Sequence, residues 1–185
     1  VLNVKELMQK EHVRLKFVID ENKHFIGVVS ADDKVYISTR SDYSNTDLSL
    51  SRIEEIDSSD YSVRQVLDAE SIADNTSSFI KSTVILSPEQ GYFYTSQTLF
   101  VPSYHEVSAL HQFNPTTGEV TASNVANTGS EAINFIGLDA ANFLWLSMQT
   151  PSNPGVDIIN TESNEKANER LPTDLNPGTI RFIEE

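Results

Sequence analysis

Apolar and polar positions alternate in short bursts along this chain, and the bursts recur. Gly27–Ser38 (GVVSADDKVYIS), Val84–Ser96 (VILSPEQGYFYTS) and Phe135–Ser147 (FIGLDAANFLWLS) share one layout: an apolar run, a small or acidic turn, and a second apolar run closing on serine. The closing serines, Ser38, Ser96 and Ser147, stand 58 and 51 residues apart. Each unit continues into an apolar run ending in Asp or Asn, namely Arg52–Asp57, Ala109–Asn114 and Val156–Asn160. A turn and a polar run follow, at Ser62–Val66, Glu119–Ala122 and Glu165–Glu169. Runs such as Tyr92-Phe93-Tyr94 and Phe143-Leu144-Trp145-Leu146 fit strands covered on both faces. The charged last runs suit an outer edge that must not recruit other chains. Four residues past the Asn, Gly118 and Asn164 tolerate the left-handed backbone of a tight hairpin. Tyr61 holds that place in the first unit, which predicts a different turn there.

A four-stranded unit recurring at about 50 residues is the mark of an all-β repeat architecture, the β-propeller. The units fall at residues 24–68, 69–124 and 125–171, flanked by partial ones at 1–23 and 172–185. In the first flank Lys10, His12, Arg14 and Lys16 alternate with Val13, Leu15 and Phe17, as the last strands of an earlier blade would. Thr179–Ile183 reads as the first strand of a further blade. Propellers close at roughly 4–8 blades, so the expectation is three full blades belonging to a six- to eight-bladed ring, its remainder supplied by the same or another chain. A blade face of ~400 Å² left wet would forgo on the order of 10 kcal/mol. A four-bladed ring in which the two flanks share one blade is the alternative.

The segment Gly155–Glu165, running on through Asn176-Pro177-Gly178-Thr179-Ile180, resembles the YVTN-type, surface-layer-like bacterial β-propeller repeat, and Asn114–Glu119 is similar to the same turn. The eponymous strand sequence is absent. That resemblance implies an extracytoplasmic protein, periplasmic or on the cell surface, serving as a binding or scaffold module with no fixed catalytic set. Phe17–Ser30 also resembles the core hairpin of a nucleotide-sensing CBS domain, without the preceding helix or a second copy. Leu138–Leu146 resembles the blade motif of sensory receptor propellers.

Charge and chemistry narrow the partners. With 13 Lys+Arg against 27 Asp+Glu the net charge is -14, which repels phosphate backbones and anionic membranes and sets nucleic acid aside. No apolar run approaches the ~18 residues of a membrane span. The chain opens on Val1, so no leader can be read from it. With no cysteine, disulfides, zinc–thiolate centres and thiol nucleophiles are excluded. The four histidines, His12, His24, His105 and His111, show no metal-ligand spacing, and no nucleophile elbow, phosphate loop or dinucleotide fingerprint occurs. No catalytic residue and no cofactor is therefore assigned.

Asp42, Asn45 and Asp47 form an oxygen-rich loop; Asp42 and Asp47 are weak calcium candidates, because the glycine and distal glutamate of a dedicated calcium loop are missing. Asn75-Thr76-Ser77 is a glycosylation sequon. Loop length is more telling. The long connections, Thr39–Leu50, Gln97–Glu106 and Leu67–Ser82, should emerge on one rim, where binding residues concentrate on a rigid scaffold. Arg40, Tyr43, Tyr104 and His105 lie there and are the candidate contacts to a protein or glycan partner. The leading expectation is a non-enzymatic binding module. The alternatives are a propeller enzyme of lactonase or quinone-dependent dehydrogenase type, with its axial site partly outside this chain, and a sensory propeller of a signalling receptor.

Overall fold

The computed structural model describes residues 15–19, 25–30, 34–40 and 46–183, and it is all-β. Strands β1 (Leu15–Ile19) and β2 (Phe25–Ser30) pair as an antiparallel hairpin. Three antiparallel sheets follow in chain order. The first holds β3 (Lys34–Arg40), β4 (Ser51–Asp57) and β5 (Val63–Asp68). The second holds β6 (Phe79–Ser87), β7 (Gln90–Leu99), β8 (His105–Phe113) and β9 (Val120–Ala122). The third holds β10 (Ala132–Leu138), β11 (Phe143–Gln149), β12 (Gly155–Asn160), β13 (Glu165–Lys166) and β14 (Leu171–Pro172).

Alternation along the strands gives each sheet two apolar faces, and the sheets stack through them. Ile53, Val66 and Leu67 of the first sheet pack with Ile80, Phe93 and Phe113 of the second. From its opposite face the second sheet sends Tyr92, Tyr94 and Leu110 against Ile136, Leu144, Leu146 and Ile159 of the third. The middle sheet is thus covered on both sides, as the unbroken Tyr92-Phe93-Tyr94 run predicts. Each such side chain, fully buried, contributes about 2 kcal/mol from the area it removes from water.

A second tie recurs. The Ser51 hydroxyl at the start of β4 accepts the Ile80 amide of the next sheet at 2.9 Å, and Ser108 on β8 accepts the Ile133 amide at 3.0 Å. Both serines stand six residues before the turn Asp or Asn; in the third sheet that place is Pro154, which has no hydroxyl to offer.

The turn after the third strand of each unit is one device used three times. The side chains of Asp57, Asn114 and Asn160 accept the amides two residues on, from Ser59 (2.9 Å), Thr116 (2.9 Å) and Glu162 (2.8 Å). Their carbonyls accept from the fourth residue on, Tyr61, Gly118 and Asn164, at 2.8, 2.8 and 2.9 Å. Those three residues are left-handed, with φ of 60°, 77° and 60°. The expectation of a different first turn is therefore corrected: Tyr61 adopts the same conformation, at a steric cost of about 1 kcal/mol that glycine would not bear. The Asx bond and the i+4 closure impose it.

Three further expectations change. Among the described residues β2 pairs with β1 and not with β3, so the Gly27–Ser38 stretch is not seen as a pair and the first sheet has three strands, not four. The polar strand expected at Glu165–Glu169 is paired only over β13; β14 beyond it also pairs β12, and the stretch between the two turns Arg170 inward onto Asp157. Thr179–Ile183 has no strand pairing, yet it crosses the third sheet: Ser147 donates to the Gly178 carbonyl at 2.5 Å, and Phe182 meets Trp145 edge-on at 5.8 Å. The reading of Lys10, His12 and Arg14 as an exposed strand face lies outside the described residues.

Candidate functional site

β3, β7 and β11 end, and β4, β8 and β12 begin, at one and the same end of their sheets, the end from which the linker 69–78 departs in the first. Arg40 faces Ser51 and Asp68 faces Arg52 in the first sheet, Leu99 faces His105 in the second, and Met148 faces Gly155 in the third. Residues 46–50 and the connections 69–78, 100–104 and 150–154 therefore sit at corresponding sheet ends. Two are shorter than the sequence predicts, because β7 and β8 extend to Leu99 and His105 and β6 begins at Phe79.

Residues 100–104 form the most exposed apolar feature on this end. Phe100, Val101 and Tyr104 are 74%, 82% and 71% exposed. The Phe100 and Tyr104 rings meet edge-to-face at 5.9 Å, and the His105 ring Nδ1 lies 2.7 Å from the Ser103 carbonyl. The loop thus presents two braced aromatic rings and one aliphatic side chain to solvent. Of the sequence candidates, Tyr104 and His105 belong to this loop and its first following residue. Phe100 and Val101 were not singled out, although the sequence places them in the long connection Gln97–Glu106; two large apolar residues inside a loop were the available signal.

The other candidates are engaged elsewhere. The Arg40 guanidinium lies 3.6 Å from the centroid of the Phe79 ring on the next sheet, a cation–π contact. Asp47 caps the short 3-10 turn Leu48–Leu50, accepting the Ser49 amide at 3.0 Å and hydroxyl at 2.7 Å; those bonds hold its carboxyl below the usual range. Tyr43 and Asp42 lie outside the described residues. Among the described residues no group of three or more His, Asp or Glu stands close enough to hold a metal ion. The Asn75 side-chain amide of the sequon donates to the Ala69 and Ser78 carbonyls at 2.7 and 2.9 Å, bracing the 69–78 linker.

Two polar clusters carry titratable side chains. Glu55 accepts from Tyr36 (2.8 Å), Arg64 (2.7 Å) and Lys34 (3.0 Å), and Lys34 also reaches Asp57 at 2.8 Å. Burial would raise the Glu55 carboxyl, but the bonds from Arg64, Lys34 and Tyr36 outweigh it and hold the group down at about 2. Burial, with Glu55 beside it, pushes the Tyr36 phenol up to about 12. Neither group can exchange a proton near neutrality. Arg64 reaches on to the Pro115 and Thr116 carbonyls at 2.9 and 3.3 Å, so this cluster seats the turn of the second sheet on the first.

Thr95 and His111 form a hydroxyl–imidazole pair at 3.1 Å, but both are buried, His111 stacks on Phe93 at 4.9 Å, and burial lowers the imidazole to about 4. It is a packing histidine.

At the opposite sheet end a cavity of about 480 Å³ lies between the second and third sheets, lined in part by Leu86, Gln90, Asn142, Phe143, Thr161 and Glu162. Behind it Tyr92 joins the two sheets: its hydroxyl accepts from Gln90 (2.9 Å) and lies 2.8 Å from the Asn164 side-chain oxygen. No helix among the described residues is long and apolar enough to cross a membrane. No protein-family model, curated protein or solved structure matches the chain.

Proposed function

We propose that this chain is a length of β-propeller acting as a non-enzymatic binding and scaffold module, which takes a protein partner on the loop end through Phe100, Val101 and Tyr104. Three observations support the propeller reading: a recurring antiparallel unit, face-to-face stacking in chain order, and the third-to-fourth turns of the second and third sheets each laid on the sheet before. An extracytoplasmic setting, periplasmic or on the cell surface, rests on the resemblance of Gly155–Glu165 to surface-layer-like repeats.

The observation that carries the binding role is the exposed apolar tip at 100–104. Rigid aromatic side chains that are solvated in the free protein are the usual anchors of an interface. An aliphatic Val101 between them favours a protein surface over a sugar, which would want flanking hydrogen-bond donors.

A photo-crosslinking residue at position 101 would capture the partner in the source cell, and the purified captured protein would then be titrated. Phe100→Ser with Tyr104→Ser is expected to weaken that binding about 30-fold, the size of a two-anchor loss, with the unfolding midpoint unchanged. Equal affinity for the wild type and the double variant would refute the assignment. Capture of a glycan in place of a protein would change the partner class.

A further inference from the structure

At the end opposite the loop tip, the cavity of about 480 Å³ between the second and third sheets is walled by three turns. Leu86 and Gln90 flank the β6–β7 turn, Asn142 and Phe143 stand where β11 begins, and Asn160 and Glu162 belong to the turn after β12. Two bonds brace these turns on one another. The Gln90 side-chain amide donates to the Thr161 carbonyl at 2.8 Å, joining the second sheet to the third, and the Thr161 hydroxyl donates to the Asn142 carbonyl at 2.7 Å. The volume lies within the roughly 300–1,000 Å³ of small-molecule sites.

The wall side chains keep unspent hydrogen-bonding capacity of both kinds. Gln90 commits both amide hydrogens, to the Tyr92 hydroxyl (2.9 Å) and to Thr161, while its side-chain oxygen takes no bond among the described residues. Asn160 is the reverse: its oxygen accepts the Glu162 and Ser163 amides at 2.8 and 3.3 Å, and its amide hydrogens are unused among the described residues. The Asn142 side-chain oxygen is buried with no partner, a costly state for an acceptor until a donor is supplied. Glu162 adds one exposed carboxylate, and Leu86 and the Phe143 ring add apolar wall.

This set selects by charge. No Lys, Arg or His lines the cavity, so an anion finds no counter-charge. One carboxylate is too few for a metal ion, and among the described residues no group of three His, Asp or Glu stands together. The pairing register gives Gln90 the place that Lys34 holds in the first sheet, where the ammonium is tied to Glu55 and Asp57; the second sheet has a neutral amide there. These walls suit a neutral molecule whose groups both donate and accept, on a frame with an apolar face. Hydroxyls do both, and a pyranose ring carries several beside a face of C–H bonds.

We propose that this cavity binds one neutral sugar residue, a hexopyranose. Its C–H face lies on Phe143 and Leu86, and its hydroxyls bond the Gln90 oxygen, the Asn142 and Asn160 amides and the Glu162 carboxylate. The site is separate from the loop tip and does not rest on the protein-docking reading.

Nuclear magnetic resonance titration of the chain with glucose, galactose, mannose and N-acetylglucosamine tests this. A ligand of roughly 12–15 non-hydrogen atoms at ordinary efficiency has a dissociation constant on the order of 1 mM, so each sugar is taken to about 50 mM. At least one should shift the side-chain amides of Gln90, Asn142 and Asn160 and saturate in that range. Asn142→Gly and Glu162→Ala, read at Gln90 and Asn160, should each weaken binding about 5-fold, the loss of one bonded partner. Both variants should keep the wild-type circular dichroism spectrum and melt, because glycine accepts the left-handed backbone at 142 (φ 66°) and Glu162 is exposed. Ethylammonium chloride and sodium phosphate at the same concentrations should leave the three amides unmoved. The assignment is overturned by any of four results: no saturation with any of the four sugars, shifts centred on other residues, equal affinity in both variants, or saturation by ethylammonium or phosphate in place of sugar.

Discussion

Arg170→Ala is expected to lower the unfolding free energy by about 3 kcal/mol, at the lower end of what breaking a buried ion pair costs. The Asp157 carboxylate is buried and takes two bonds from Arg170, at 2.8 and 2.9 Å, and one from Lys166 at 2.8 Å. Burial by itself would raise this carboxyl, but the bonds from Arg170 and Lys166 outweigh it and hold the group below the usual range. Arg170 is in turn raised by Asp157 and Glu131, and it also donates to the Asn153 carbonyl at 2.9 Å. One side chain thus ties the split outer strand, β12, the loop before it and the linker ahead of β10. Removing it strands a buried charge with only the half-exposed Lys166 as partner. The double variant Asp157→Leu/Arg170→Met, which removes both charges and keeps the volume, should recover most of the loss. Urea unfolding measures both; a loss below about 1 kcal/mol for Arg170→Ala would show that the pair is solvated.

Between pH 6.5 and 4.5 the protein should lose about 2 kcal/mol of stability, and His111→Gln should remove most of that slope. His111 is neutral and buried, with its imidazole lowered from 6.5 to about 4 by burial alone. Its folded value is depressed, so the unfolded chain takes up the proton first. Stability is therefore full above the unfolded value and falls as pH drops toward the folded one, by about 1.4 kcal/mol per unit. Glu55, lowered from 4.5 to about 2, contributes its own loss only below pH 4.5, which leaves the upper window to His111 among the described groups with resolved shifts. Thermal melts at pH 7, 6, 5 and 4.5 would read the slope. A flat wild-type profile would place the imidazole in contact with water.

The strands of the second and third sheets were legible because their code is local: apolar alternation, a turn residue that can bond its own backbone, and a left-handed position after it. Asp57, Asn114 and Asn160 carry that code by themselves, and the Tyr61 turn shows it overriding a poor residue at one position. What failed depends on distant partners. Whether β2 joins β1 or β3 is a choice between two edges, and alternation is the same for both. Arg170, just past the polar run Glu165–Glu169, was not singled out, because nothing near it in sequence says that Asp157 lies buried opposite. Thr179–Ile183 has strand composition, but its edge partner is absent from the sheet it crosses. The loop end was legible as a place, from connection lengths. Its chemistry was not: Arg40 is drawn onto Phe79, Asp47 onto Ser49, and the exposed tip falls on Phe100 and Val101, apolar residues of the long connection that were not singled out.

The account stands on the sheets stacking in chain order, each later turn laid on the sheet before it. At Gly118 a side-chain carbon would come within 2.1 Å of the Val66 carbonyl, and the Asn164 amide donates to Gln112 at 3.1 Å. Nuclear Overhauser contacts in solution test this most directly. The stacked arrangement predicts cross-peaks from Gly118 to Val66 and Leu67, and from Asn164 to the Tyr92 ring and Gln112. Full sets of cross-peaks within each sheet, with none between those pairs, would contradict it.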